Sequence, residues 1–181
     1  MNKYSTAIIG LLSLFTLMMQ AFLFLGTIMT IWMFGSSSTN RKDAIAMILD
    51  NIDLTNSSLT PNFYAAFYLG ILFFTSLTLF LYLNCIRHLL QNINEKIYFE
   101  EKNLKMIKRT LIFFSLYTLV NFGLELIHRA FNVTYLYDAS AYPAYSWVGV
   151  FDGLITVMGI YVLYVVFRQG VLLKQENQSI V

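Results

Sequence analysis

Apolar residues gather in four long runs, Ala7 to Phe34, Phe63 to Ile86, Thr110 to Ile127 and Tyr145 to Phe167, with polar segments between them. A helix needs about 20 apolar residues, range roughly 17–25, to cross the hydrocarbon core of a bilayer. The second and fourth runs meet that length and the third is near its lower limit. The first exceeds it, which predicts tilt or projection from the bilayer. No Lys, Arg, Asp or Glu interrupts the first two runs. Backbone groups in hydrocarbon have no water to bond, so such runs must be helices. The first run is about twice as long as the 7–15-residue core of a signal peptide and no A-x-A site follows, so it reads as a retained span. The pattern predicts an all-α protein: one integral membrane domain over residues 1–181, folded as a four-helix bundle.

The polar segments are two outer loops at 35–62 and 128–144, a middle loop at 87–109 and a tail at 168–181. Orientation follows from Lys and Arg. Arg87, Lys96, Lys102, Lys105, Lys108 and Arg109 lie in the middle loop, Lys3 at the start, and Arg168 and Lys174 in the tail. Only Arg41, Lys42 and Arg129 lie on the opposite side. Nine against three puts both termini in the cytoplasm of a cell membrane. Ala44 to Leu49 forms an apolar patch in the first outer loop, expected as a helical turn on the membrane surface. Tyr135, Tyr137, Tyr142, Tyr145 and Trp147 form an expected interfacial belt, with Trp32 in the same part on the first span.

Composition agrees: only 12% of the residues are charged, against about 25% in a soluble domain. A net charge of +2 gives no reason to expect direct nucleic-acid binding. One cysteine, Cys85, permits no intrachain disulfide and reads as a buried thiol. His88 and His128 fall on opposite sides of the membrane in this topology, so they cannot share a metal. No nucleophile elbow, phosphate loop or H-E-x-x-H is present. The expectation is a non-enzyme without cofactor or metal.

The spans are not uniformly apolar. Thr6, Gly10, Ser13, Gln20 and Thr27 recur at helical spacing on the first, with Thr16 nearby. Gly149 and Gly153 form a G-x-x-x-G on the fourth, followed by Thr156 and Gly159. Small residues let membrane helices approach closely, so both stripes are expected to face the bundle interior, and Gly149 and Gly153 permit a homodimer. Span three ends with Tyr117, Asn121, Glu125 and Arg129, four apart and on one face, beside His128. Span four carries Asp152, expected about two turns in from its outer end. Ionisable residues in spans are costly and face a cavity or a partner. Two readings of Asn121, Glu125, His128, Arg129 and Asp152 stand. Glu125 and Asp152 form a carboxylate pair for a cation or proton, or Arg129 and His128 neutralise both acids and lock span three to span four.

On the cytoplasmic side span two is expected to continue as helix past Leu90, with a turn around Asn94 to Phe99 and a new helix from Glu100-Glu101. Lys102, Lys105, Lys108 and Arg109 then lie at the headgroups, where anionic lipid adds about 1 kcal/mol per charge. The tail reads as too short to fold alone, and its last residues fit a strand-addition ligand. Two of these segments are patterned: Phe99-Glu100-Glu101-Lys102-Asn103, and Lys174-Gln175-Glu176-Asn177-Gln178-Ser179-Ile180, with Gly170 before it.

On these motifs and the four spans the chain resembles a family of small bacterial membrane proteins catalogued as domain of unknown function 2975. It departs where the family has a Gly-x-Pro-Phe or similar turn, here Lys96-Ile97-Tyr98-Phe99. It departs again where the family has an acidic or polar residue and Leu before the closing Thr-Ile/Val, here Asn177-Gln178-Ser179. Members are often encoded beside a small helix-turn-helix regulator. The resemblance therefore implies a membrane-bound partner or sensor for a cytosolic regulator, meeting it through Phe99, Asn103, Lys174, Glu176 and Asn177. The competing expectation is a small transporter, channel or immunity-type membrane protein working through Glu125 and Asp152.

Overall fold

A computed structural model describes residues 3–35, 38–50, 52–135 and 147–179. The chain is a helical bundle built in the order α1 (Lys3–Gly35), α2 (Ser38–Leu49), β1 (Ile52–Asp53), α3 (Pro61–Asn94), α4 (Glu101–Ala130), β2 (Thr134–Tyr135) and α5 (Trp147–Ser179). Four segments, Thr6–Trp32, Pro61–Asn94, Glu101–Ala130 and Phe151–Gln178, are long and apolar enough to cross a membrane. Large apolar side chains stay exposed along α1 and α5 from Tyr4 to Trp32 and from Phe151 to Leu173. That is the expected surface of helices solvated by lipid rather than water. Tyr137, Tyr142, Tyr145, Ile180 and Val181 lie outside the described residues.

The long helices pack in chain order, α1 on α3, α3 on α4 and α4 on α5, and among the described residues α1 and α5 share no extended interface. Gln20 ties α1 to α3, its Nε2 donating to the Phe80 carbonyl at 3.3 Å. Thr16 and Gln20 are buried, so the middle of the first polar stripe faces α3 as expected, while Thr6 and Gly10 at its end are exposed. The second stripe divides. Gly153 packs on the Thr118 side chain of α4, whereas Thr156 and Gly159 are exposed and face away. This corrects the expectation that the whole stripe turns inward, and it leaves Gly153 already occupied within the chain.

Local chemistry sets the helix ends. Pro61 starts α3 at a position whose N–H needs no partner. At 34 residues α3 is about 51 Å long, well beyond a hydrocarbon core of about 30 Å, so it must project from one. It ends in a two-bond cap: Ile97 N–H donates to Asn92 O at 2.9 Å and Lys96 N–H to Ile93 O at 3.0 Å. This cap needs a left-handed residue just past the helix, and Lys96 takes that conformation at φ 62°. α4 ends the same way: Val133 N–H donates to His128 O at 2.9 Å, Asn132 N–H to Arg129 O at 3.3 Å, and Asn132 has φ 51°. Glu101 in the first turn of α4 and His128 and Arg129 in its last turn complement the macrodipole.

Two regions depart from the sequence expectation. Where described, the segments expected as outer loops make a small cap. Ile52, Tyr64 and Val133 are buried together, with Ile48, Leu49, Leu54, Leu59 and Tyr68 packed against them. β1 and β2 pair antiparallel, Ile52 opposite Tyr135 and Asp53 opposite Thr134. The apolar patch at 44–49 thus belongs to a full helix, α2, whose end packs into this core. Nearby, the Asp53 carboxylate accepts the Thr55 backbone N–H at 2.8 Å, which holds its pKa below the usual range. At the other end, 168–179 is no separate tail: α5 continues as helix to Ser179.

Candidate functional site

The bundle has a basic end, where α3 turns into α4, and a cap end. At the basic end the turn is built around one amide. Asn103, fully buried at 0% exposure, lies in the first turn of α4. Its Nδ2 donates to the carbonyls of Ile97 and Tyr98, both at 2.7 Å, and its Oδ1 accepts Asn92 Nδ2 at 2.7 Å. One side chain therefore fixes the end of α3, the turn and the start of α4. Both polar atoms of the Asn103 amide are satisfied by partners in the hairpin itself.

The turn holds Phe99 against α5. The Phe99 ring sits so close to the Gly170 backbone that a Cβ there would overlap it, and ring centroids of Phe99 and Phe167 are 5.4 Å apart. Glycine at 170 is thus required by close approach rather than by backbone conformation. Around this contact Lys174 Nζ lies 3.6 Å from Glu100 Oε1, and Gln175 Nε2 donates to Glu101 Oε1 at 3.4 Å. The two patterned segments form one clasp. Phe99, Gly170, Leu173, Lys174, Asn177 and Gln178 line an open groove on it. Of the expected partner residues, Phe99, Lys174 and Asn177 share this groove, Glu176 is exposed on the same helix, and Asn103 is interior. Asn103 is thus a positioning residue, not a contact surface.

At the cap end Tyr64 Oη and His128 Nε2 are 2.9 Å apart, with Tyr64 at 0% and His128 at 3% exposure. Tyr64 also stacks on Tyr68. Sequence gave Tyr64 no role, since nothing in its spacing distinguishes it from an interfacial tyrosine. Glu125 is buried, and its Oε1 accepts Arg129 Nε at 2.6 Å. Asn121 is half-buried and donates to the Tyr117 carbonyl at 2.8 Å. The Glu125–Arg129 pair lies within α4, so it does not by itself fasten α4 to α5. Asp152 on α5 is exposed and joins no ion pair among the described residues.

Asp152 is the sixth residue of α5, one before Gly153. Its neighbour Gly153 abuts Thr118, which stands midway between Arg109 and Glu125 on α4. Glu125 lies six to seven residues further along, about 10 Å by the helical rise. The two acids therefore do not share a level.

Compared with known protein families, curated proteins and solved structures, the chain finds no match. Among the described residues no group of three or more His, Cys, Asp or Glu side chains is placed to hold a metal ion.

Proposed function

We propose that this chain is a membrane-embedded docking protein, with both termini in the cytoplasm, that holds or restrains a cytosolic regulator at its basic end. One observation carries the reading: the two patterned segments, far apart in sequence, come together as a single open groove with a half-exposed Phe99 and an exposed Leu173 within a polar rim. An aromatic and an aliphatic anchor ringed by polar groups is the composition of a protein contact. The groove's floor is fixed in advance by the Asn103 hydrogen bonds, which lowers the ordering cost of binding.

The charge asymmetry of nine cations against three favours a cytoplasmic location for this end. The resemblance to the domain 2975 family supports a regulator of the helix-turn-helix class as the partner. Lys96 adds to it, since the left-handed position it occupies is where that family's turn carries Gly. The polybasic stretch from Lys102 to Arg109 sits beside the groove and anchors it at anionic headgroups.

The test is affinity capture of the intact chain in mild detergent beside a Leu173→Asp, Asn177→Asp variant, with captured proteins identified by mass spectrometry. The variant alters the groove and leaves Asn103, Phe99 and Gly170 intact. A small DNA-binding protein recovered with the intact chain and lost with the variant supports the reading. Recovery of no cytosolic protein by either, or equal recovery by both, rules the groove out as its docking site.

A further inference from the structure

Arg87 on α3 is half-buried and joins no ion pair among the described residues. Its Nε is shielded without a hydrogen-bond partner among them, and its Nη2 donates only to Asn84 Oδ1, at 3.4 Å. The seam between α1 and α3 supplies no acid, since residues 3–35 and 61–94 contain no Asp or Glu. Arg87 ends a stripe. Phe73, Leu77, Phe80, Asn84 and Arg87 fall at i, i+4, i+7, i+11 and i+14, hence on one face of α3. The apolar part of that stripe lines an open groove along α1, where Leu23, Phe24 and Thr27 meet Phe73, Leu77 and Phe80. Asn92 meets Asn103 and Tyr82 meets Phe114, so Arg87, midway between, is level with Lys108 and Arg109 at the basic end.

We infer that the α1–α3 seam binds one anionic phospholipid, with its phosphate at Arg87 and Asn84 and an acyl chain in the groove. The argument is charge complementarity at the head of an apolar surface. A guanidinium at the edge of the hydrocarbon, with no carboxylate on its own helix or on α1, needs an anion, and its planar fork matches a phosphate. Phe80 lies seven residues from Arg87, about 10 Å by the helical rise. The headgroup layer is roughly 5–8 Å thick on each side of the core. A phosphate held by the long Arg87 side chain therefore leaves its acyl chains at the mouth of the groove. Phe24, Phe73 and Leu77 along it are exposed and apolar, a surface that suits a hydrocarbon chain. Free phosphate would meet the charge and leave this groove unfilled. A zwitterionic lipid carries its own cation beside the phosphate, so a net-anionic headgroup is favoured. The inference rests on the membrane-embedded part of the proposed function and is independent of any cytosolic regulator.

The experiment is native mass spectrometry of the full chain in mild detergent, titrated with dioleoylphosphatidylglycerol, dioleoylphosphatidylcholine or inorganic phosphate. The first phosphatidylglycerol is expected to bind about tenfold more tightly than phosphatidylcholine, and millimolar phosphate should not displace it. Arg87→Gln should erase that preference, while Lys108→Gln, at the same level on α4, should leave it in place. Equal binding of the two lipids overturns the proposal, as does a preference that survives Arg87→Gln. A loss as large in Lys108→Gln overturns it by naming the diffuse basic belt, and displacement by phosphate does so by naming a free anion. Phosphatidylglycerol with a photoreactive group in its acyl chain locates the lipid on the unaltered chain, whether or not a variant folds. Adducts on residues 23–27 and 73–80 are expected, and adducts concentrated elsewhere overturn the seam as the site. Alkaline carbonate extraction of vesicles carrying the chain reports separately on embedding. A chain retained in the pellet keeps the foundation, and one released removes it.

Discussion

The two ends of the α3–α4 hairpin use the same backbone device and different side-chain chemistry. Both helices stop in a two-bond cap through a left-handed residue that is not glycine, Lys96 at one end and Asn132 at the other. At the basic end the buried polar groups are neutral amides, Asn92 and Asn103, closed on the turn itself. At the cap end they are titratable, Tyr64 with His128 and Glu125 with Arg129, and an apolar core around Ile52 and Val133 stands over them. The basic end has no comparable apolar core among the described residues. Its geometry depends on one amide and on one aromatic ring lying against one glycine. The difference separates specification by hydrogen bonding from specification by burial.

The comparison can be broken most severely at Asn103. Asn103→Ala removes three hydrogen bonds of a buried amide and should destabilise the protein by about 3 kcal/mol, each net bond being worth roughly 1. Unfolding by sodium dodecyl sulfate in mixed micelles measures it. At the cap end Tyr64→Phe removes one such bond and should cost only about 1 kcal/mol in the same assay, because the surrounding core remains. Between these lies Gly170→Leu, which overpacks the Phe99 contact and should cost about 2 kcal/mol. Adding Phe99→Ala should relieve much of that cost, a coupling that a double-mutant cycle detects.

The smaller effects sharpen the contrast. Lys96→Gly relieves a left-handed lysine at the basic end and should stabilise by about 0.5–1 kcal/mol. Asn132→Gly should gain less, since asparagine tolerates that conformation better than lysine. Glu100→Gln removes a half-exposed ion pair with Lys174 and should change stability by less than about 0.5 kcal/mol.

The four spans, the end of α3 and the start of α4 were legible because apolar run length and helix-terminal chemistry are local properties. The length of α5 was not. The apolar pattern stops near Arg168, and the helix continues where Phe99 packs on its Phe167 and Gly170, a contact between distant segments. The cap was missed for the same reason: Ile52, Tyr64 and Val133 lie on three separate segments, and none is exceptional in its own neighbourhood. Asn103 was recognised as special but assigned to a surface, since a pattern records that a residue matters and not which way it points. How α5 registers on α4 was not legible either, since only the Gly153–Thr118 contact sets it. Glu125 with Arg129 at four-residue spacing was readable directly, as helix geometry requires.

The central claim is that the turn at 95–103 and the extension of α5 form one surface. Short-span bismaleimide cross-linking of Glu100→Cys with Lys174→Cys tests it most directly, in membranes and on a Cys85→Ser background. An intramolecular cross-link is expected, seen as faster electrophoretic migration of the double variant, and none for Glu100→Cys paired with Thr156→Cys. Absence of the cross-link in the first pair, with both thiols shown to react singly, would contradict the account.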